Sequence, residues 1–74
     1  MELSDLILKA GYTPKKLAGE LGVTKFAIYA YTSGRAFPKA EKLSRMSNIL
    51  GISEKKILQA IAEARNEKRR NTTN

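Results

Sequence analysis

The chain has no cysteine and no histidine in its 74 residues. Without cysteine, neither a disulfide framework nor a thiolate metal site can form. Without histidine, a zinc ion would have to be held by carboxylates alone, so no metal and no other cofactor is expected. The same absences weigh against catalysis, because the commonest general base and the strongest nucleophile are missing. There is no glycine-rich phosphate loop, and the seven acidic residues are scattered without a convincing pair. An enzyme is not expected. The longest apolar run is a few residues, well short of the roughly 20 that cross a bilayer. The N-terminal stretch MELSDLILKAG puts acidic residues ahead of its apolar ones, the wrong order for a secretory signal. The expected location is the cytoplasm.

Positive charge is plentiful. Fourteen Lys and Arg face seven Asp and Glu, a net charge of +7 with a pI near 10.0. Residues 1–50 carry eight basic and four acidic residues, and residues 51–74 carry six and three. The excess is therefore spread along the chain. It favours a polyanionic partner, most simply nucleic acid; the plain alternative is solubility alone. A chain of this length makes one small domain with a thin core.

The window Thr13 to Gly34, TPKKLAGELGVTKFAIYAYTSG, is the most informative. Thr13 is a good N-cap, and Pro14 suits the first helical position, where a missing N–H costs nothing. Leu17, Ala18 and Leu21 fall on one helical face. Gly22 can take the left-handed conformation that ends a helix. Val23 can plug the corner, and Thr24 is a second N-cap for a helix with Ile28 and Tyr31 on one face. Small Ala18 lets two helices approach. This is the sequence form of a helix-turn-helix, whose second helix enters the DNA major groove. The competing reading is an ordinary helical hairpin.

Five helices fit the chain, and no strand pattern competes. Ser4 can cap a first helix carrying Leu6, Ile7 and Ala10 and stopping at Gly11. Arg35-Ala36-Phe37-Pro38 is a connector, since Pro38 disfavours helical geometry at Phe37. Helix four runs from about Lys39 to Leu50 with Leu43, Met46, Ser47 and Leu50 inward. Gly51 ends it, Ile52 bridges, and Ser53 caps helix five, whose apolar stripe is Ile57, Leu58 and Ile61. That helix is expected to fray after Ala64. Residues 1–65 then form the domain, and residues 66–74, NEKRRNTTN, form a flexible polar and basic tail. The expected core is Leu17, Ala18, Leu21, Val23, Ile28, Tyr31, Leu43, Met46, Leu50, Ile52, Ile57 and Ile61. Helix five with its basic end could suggest a membrane binder, but so small a domain needs those apolar residues for its core, and no membrane partner is expected.

With these helices placed, the chain resembles the Cro/repressor family of temperate phages and its bacterial, XRE-like relatives. LAGELGVT, Ile28, the Gly34 turn, Pro38, Leu43, Met46 and the run Leu50-Gly51-Ile52-Ser53 sit at family spacing, across about Leu3 to Ile61. The resemblance implies an all-α, compact five-helix lambda-repressor-like domain with the helix-turn-helix in helices two and three. It also implies a homodimer on two operator half-sites, inside the host cell if the protein is phage-encoded. Two positions depart from the family. Pro14 stands where a phosphate-clamping glutamine is common, and Thr32-Ser33-Gly34 stands where Glu-Asn-Gly is common. Backbone N–H groups at the start of helix two can still hold a phosphate.

The family's base-reading positions match Thr24, Lys25, Phe26, Ala27, Tyr29 and Ala30. Lys25 can donate to guanine O6 and N7, Thr24 can reach a phosphate or a base, and Phe26 and Ala27 can pack on thymine methyls. Tyr29 can bond a phosphate or a base. The set lacks Arg, Gln and Asn, so direct readout is expected to be thin and affinity to lean on backbone charge. Lys15, Lys16, Arg35, Lys39 and Lys42 are the candidate phosphate clamps, although each lysine alone reads equally as a solvated residue. The apolar patch of Phe26, Ala27, Tyr29 and Ala30 supports a second function: an antirepressor that grips a partner repressor and blocks its DNA-binding surface. A third possibility is that Phe26 folds inward as core. Ile49, off the main inward face of helix four, could join helix five in a contact with a second copy.

Overall fold

Local chemistry sets where each helix begins and ends. The structure is a computed structural model that describes residues 2–72, with side-chain surroundings for residues 2–66. Five helices follow in order: α1 Leu3–Lys9, α2 Pro14–Leu21, α3 Lys25–Thr32, α4 Ala40–Leu50 and α5 Glu54–Thr72. No strand occurs among the described residues. This is the all-α, five-helix, lambda-repressor-like arrangement.

The Thr13 hydroxyl accepts the Lys16 N–H at 3.2 Å, with Pro14 in the first turn of α2. The Thr24 hydroxyl accepts the Ala27 N–H at 3.3 Å and opens α3. Ser53 does the same for Lys56 at the start of α5, at 3.1 Å. Each cap satisfies a backbone donor that the first helical turn leaves without a partner. Between α2 and α3 lie only Gly22, Val23 and Thr24. Gly22 sits at φ +72°, and the Val23 N–H returns to the Ala18 carbonyl at 3.0 Å, so the chain reverses within three residues.

Two boundaries differ from those read in the sequence. α1 begins at Leu3 after Glu2, with no side-chain cap, so Ser4 lies inside the helix and does not open it. The earlier start brings Leu3 into the core, fully buried. α5 continues past Ala64 to Thr72. Glu, Lys and Arg are good helix formers, and extending a helix costs far less than starting one. The first residues of the stretch read as a flexible tail therefore continue α5, while residues 73–74 lie outside the described residues.

The core is assembled from all five helices. Leu3, Ile7, Leu17, Leu21, Ile28, Met46, Ile57 and Ile61 are fully enclosed. Ala18, Tyr31, Leu43 and Leu50 are buried as expected. Val23 and Ile52 are half-buried, because both sit in connectors and pack on the core from its edge. Leu58 faces outward, and Ala60 takes the inward place instead. Ile57, Ala60 and Ile61 follow the i, i+3, i+4 spacing of one helical face, which position 58 does not share. Ile49 is half-buried against the core. α2 packs on α3 and α4, α5 packs on α3 and α4, and α1 touches α2, α3 and α5. No buried polar or charged side chain occurs among the described residues. No helix among them is long and apolar enough to cross a membrane.

Candidate nucleic-acid interface

α3 turns Ile28 and Tyr31 into the core, and this fixes what it shows to solvent. Thr24, Lys25, Phe26 and Tyr29 are exposed, while Ala27 and Ala30 are half-buried. Ala27 packs against the core. Six residues read as one outward set thus divide into four projecting side chains and two small residues at their base. Phe26 is 68% exposed, which rules out its folding inward as core. Its ring meets Tyr29 edge-on, with centroids 6.4 Å apart and planes at 70°. The Lys25 ammonium lies 5.5 Å from the Phe26 ring centre. These three side chains form one cluster at the exposed edge of α3.

The end of α3 is closed by its own hydroxyls. Thr32 donates to the Tyr29 carbonyl at 3.1 Å, and Ser33 donates to the Ala30 carbonyl at 3.2 Å. The Arg35 Nε donates to the Ser33 hydroxyl at 3.0 Å. Arg35 is exposed and keeps the donors of its guanidinium tip for a further partner.

The five candidate clamps fall into two groups. Lys15 and Lys16 are exposed in the first turn of α2, and Lys39 is exposed at the N-cap position of α4. Lys15 and Lys16 border an open groove of about 810 Å³ whose other walls include Tyr12, Thr13 and Gly19. Along the chain, Lys15 and Lys16 belong to the helix before α3, and Arg35 and Lys39 to the connector after it. Lys42 is different. It is half-buried, and its ammonium donates to the Leu21 carbonyl at 2.9 Å. The Arg45 guanidinium reaches the neighbouring Glu20 carbonyl at 3.4 Å. α2 has no basic residue in its own last turn, so α4 supplies the two cations that its carbonyl end favours. Lys42 therefore holds the corner between α2 and α4, a role its sequence position did not reveal.

A second contact missed in the sequence braces the far end of α3. Gly34, at φ +79°, is buried where a Cβ would stand 2.4 Å from the Arg65 backbone nitrogen. Only glycine lets the end of α3 approach α5 this closely. The Arg65 guanidinium lies 5.9 Å from the centre of the Phe37 ring, covering the connector after α3. α3 is thus held at its start by the Thr24 turn and at its end by α5. No group of three or more carboxylates among the described residues could hold a metal ion.

Residues 3–63 match the helix-turn-helix domain family, and the chain belongs to it. Over 43 residues it is 40% identical to a protein of Bacillus subtilis (strain 168) described as an SPbeta prophage-derived uncharacterized HTH-type transcriptional regulator, YonR. The matched stretch is 58% of this chain and 40% of that relative's length. No solved structure matches the chain closely enough to count. The kinship with XRE-like, phage-related helix-turn-helix proteins displayed by the sequence holds in these comparisons.

Proposed function

We propose that this helix-turn-helix domain is a small Cro-like transcription regulator that binds operator DNA through α3 in the major groove. It would act in a phage or mobile-element genetic switch, in the cytoplasm of the host cell. The observation that carries the reading is the placement of α3. Its N-terminal edge projects Thr24, Lys25, Phe26 and Tyr29, and the elements on either side of it in the chain carry exposed Lys15, Lys16, Arg35 and Lys39. Eight residues of helix span roughly 12 Å, which the major groove admits. The flanking cations supply phosphate contacts, and the projecting side chains meet the base edges. Ala27 and Ala30 leave room for a close approach. The relative's description as a prophage-derived transcriptional regulator supports the same reading. Two copies on two half-sites would follow the pattern of the family it resembles.

The test is binding to duplex DNA from the control region beside its own gene, followed across a salt series. Affinity should fall steeply with salt, and Lys15→Ala, Arg35→Ala and Lys39→Ala should each flatten the log–log slope by about one unit. Binding indifferent to salt would remove the reading. The exposed Phe26–Tyr29 pair favours a second one, the antirepressor that grips a partner repressor. A DNA-free complex with the neighbouring repressor, lost in Phe26→Ala and kept in Lys25→Ala, would select it.

A further inference from the structure

The polar side chains of α3 are few and largely committed. Its eight residues contain one charged side chain, Lys25, and no Arg, Asn or Gln. The Thr24 hydroxyl oxygen accepts the Ala27 N–H, and the Thr32 and Ser33 hydroxyls donate to carbonyls of the same helix. An ammonium has only donors, so Lys25 meets guanine acceptors and phosphates alike. Apart from the Tyr29 hydroxyl, which can bond a phosphate or a base, little on this helix can tell one base pair from another by hydrogen bonding.

Apolar surface is what α3 offers most. Phe26 is the most exposed large hydrophobic side chain among the described residues, at 68%. The core closes without it, so its exposure brings the fold nothing. Tyr29 meets its ring edge-on at 6.4 Å, and both side chains have few rotatable bonds, so little freedom is lost when they are covered. Ala30, one turn after Phe26 on the same face, is too small to shield the ring. The major-groove edges of the base pairs carry one apolar feature, the C5-methyl of thymine. A phenyl ring has no conventional donor or acceptor, so among these edges the thymine methyl is the feature it covers best.

We infer that Phe26, held by Tyr29, is the specificity-determining residue of α3 and that it reads the C5-methyl group of thymine. The inference rests on the DNA-binding reading above and names what that surface recognises. Lys25 and the flanking cations supply attraction to any duplex, and the aromatic pair chooses among duplexes. 5-Methylcytosine carries the same methyl group and is the other base the ring can accept.

The full chain is used to enrich duplexes from a random-sequence DNA pool, and affinity for the enriched duplex is measured by fluorescence anisotropy. Each thymine is then replaced in turn by deoxyuracil, which keeps every hydrogen-bonding group and lacks the methyl. At one or two positions the wild-type protein should lose about four-fold in affinity, the effect of uncovering one methyl-sized group. Restoring a methyl there with 5-methylcytosine, paired with guanine, should recover more affinity than plain cytosine. Phe26→Ala should bind more weakly and show no deoxyuracil penalty. Tyr29→Phe, which keeps the ring, should retain the penalty, and so should Lys25→Ala on a weaker background. Circular dichroism checks that each variant is folded, as the exposure of these side chains predicts. Salt-dependent binding with no deoxyuracil penalty at any thymine overturns the inference and leaves the DNA-binding reading standing. So does a pool that never enriches a sequence while still binding. A chain that binds no duplex at any salt, yet binds the neighbouring repressor through Phe26, overturns both.

Discussion

α2 and α3 are built alike and face water differently. Each is eight residues long, each opens on a threonine whose hydroxyl caps it, and each buries apolar residues in the shared core. α2 exposes Lys15, Lys16, Gly19 and Glu20, the polar outer side expected of a helix that only supports its neighbours. α3 exposes Lys25, Phe26 and Tyr29. Local rules of capping and spacing shape both helices equally, so they do not account for the difference. Stability alone would favour polar residues on both. An exposed aromatic edge on one of two matched helices points to a partner that covers it.

The largest difference between the two helices' inner and outer faces should appear in the shared core. Leu17 is fully buried in the core, and Leu17→Ala should cost about 2–5 kcal/mol, a large share of a small domain's stability. Phe26→Ala removes a larger side chain and should shift stability by no more than about 0.5 kcal/mol. Thermal unfolding of the two variants side by side checks the contrast. Equal losses would mean that the two outer faces do not differ as described.

The C-terminal ends of the two helices give the next contrast. Gly34→Ala places a methyl 2.4 Å from the Arg65 backbone nitrogen at a φ of +79°. Strain and overpacking together should cost about 2–4 kcal/mol. Gly22→Ala meets only the Lys42 ammonium, at 4.0 Å, and should cost about 1 kcal/mol, the left-handed backbone alone. Urea midpoints separate the two values. A Gly34→Ala loss as small as that of Gly22→Ala would show that α5 does not brace α3.

The α2–α3 corner was legible because its causes are local: Thr13, Gly22 and Thr24 act on backbone groups within a few residues. The apolar faces of α2, α3 and α4 followed from helical period for the same reason. Ser4 misled because any serine near a helix start can cap, and the choice depends on whether Leu3 finds a place in the core. Leu58 misled because its hydrophobicity outweighed its register, which Ala60 fits better. Gly34 announced a turn, but its approach to Arg65 depends on how α5 packs across α3. At the candidate interface, Thr24, Lys25, Phe26 and Tyr29 came from the family resemblance, and their exposure follows from the turning of Ile28 and Tyr31 into the core. The half-burial of Ala27 and the capture of Lys42 by Leu21 required the packed structure.

Lys42 and Lys15 carry the same charge at opposite ends of α2. Both read alike in the sequence, as basic residues near a helix end. The Lys42 ammonium donates to the Leu21 carbonyl at 2.9 Å and closes the end of α2, whereas Lys15 stands exposed in the first turn of that helix. Lys42→Ala should therefore cost about 1 kcal/mol of stability, the net worth of one such hydrogen bond. Its salt slope on DNA should match that of the wild-type protein. Lys15→Ala should leave stability within about 0.5 kcal/mol and flatten the slope by about one unit. Two measurements on two variants thus give a crossed pattern, and the crossing is the informative result. A Lys42→Ala protein of unchanged stability whose slope flattens by a unit would put that ammonium on a phosphate and return it to the group of clamps. A Lys15→Ala protein with an unchanged slope would move the DNA backbone away from the start of α2, and the docking of α3 would have to be redrawn around Arg35 and Lys39.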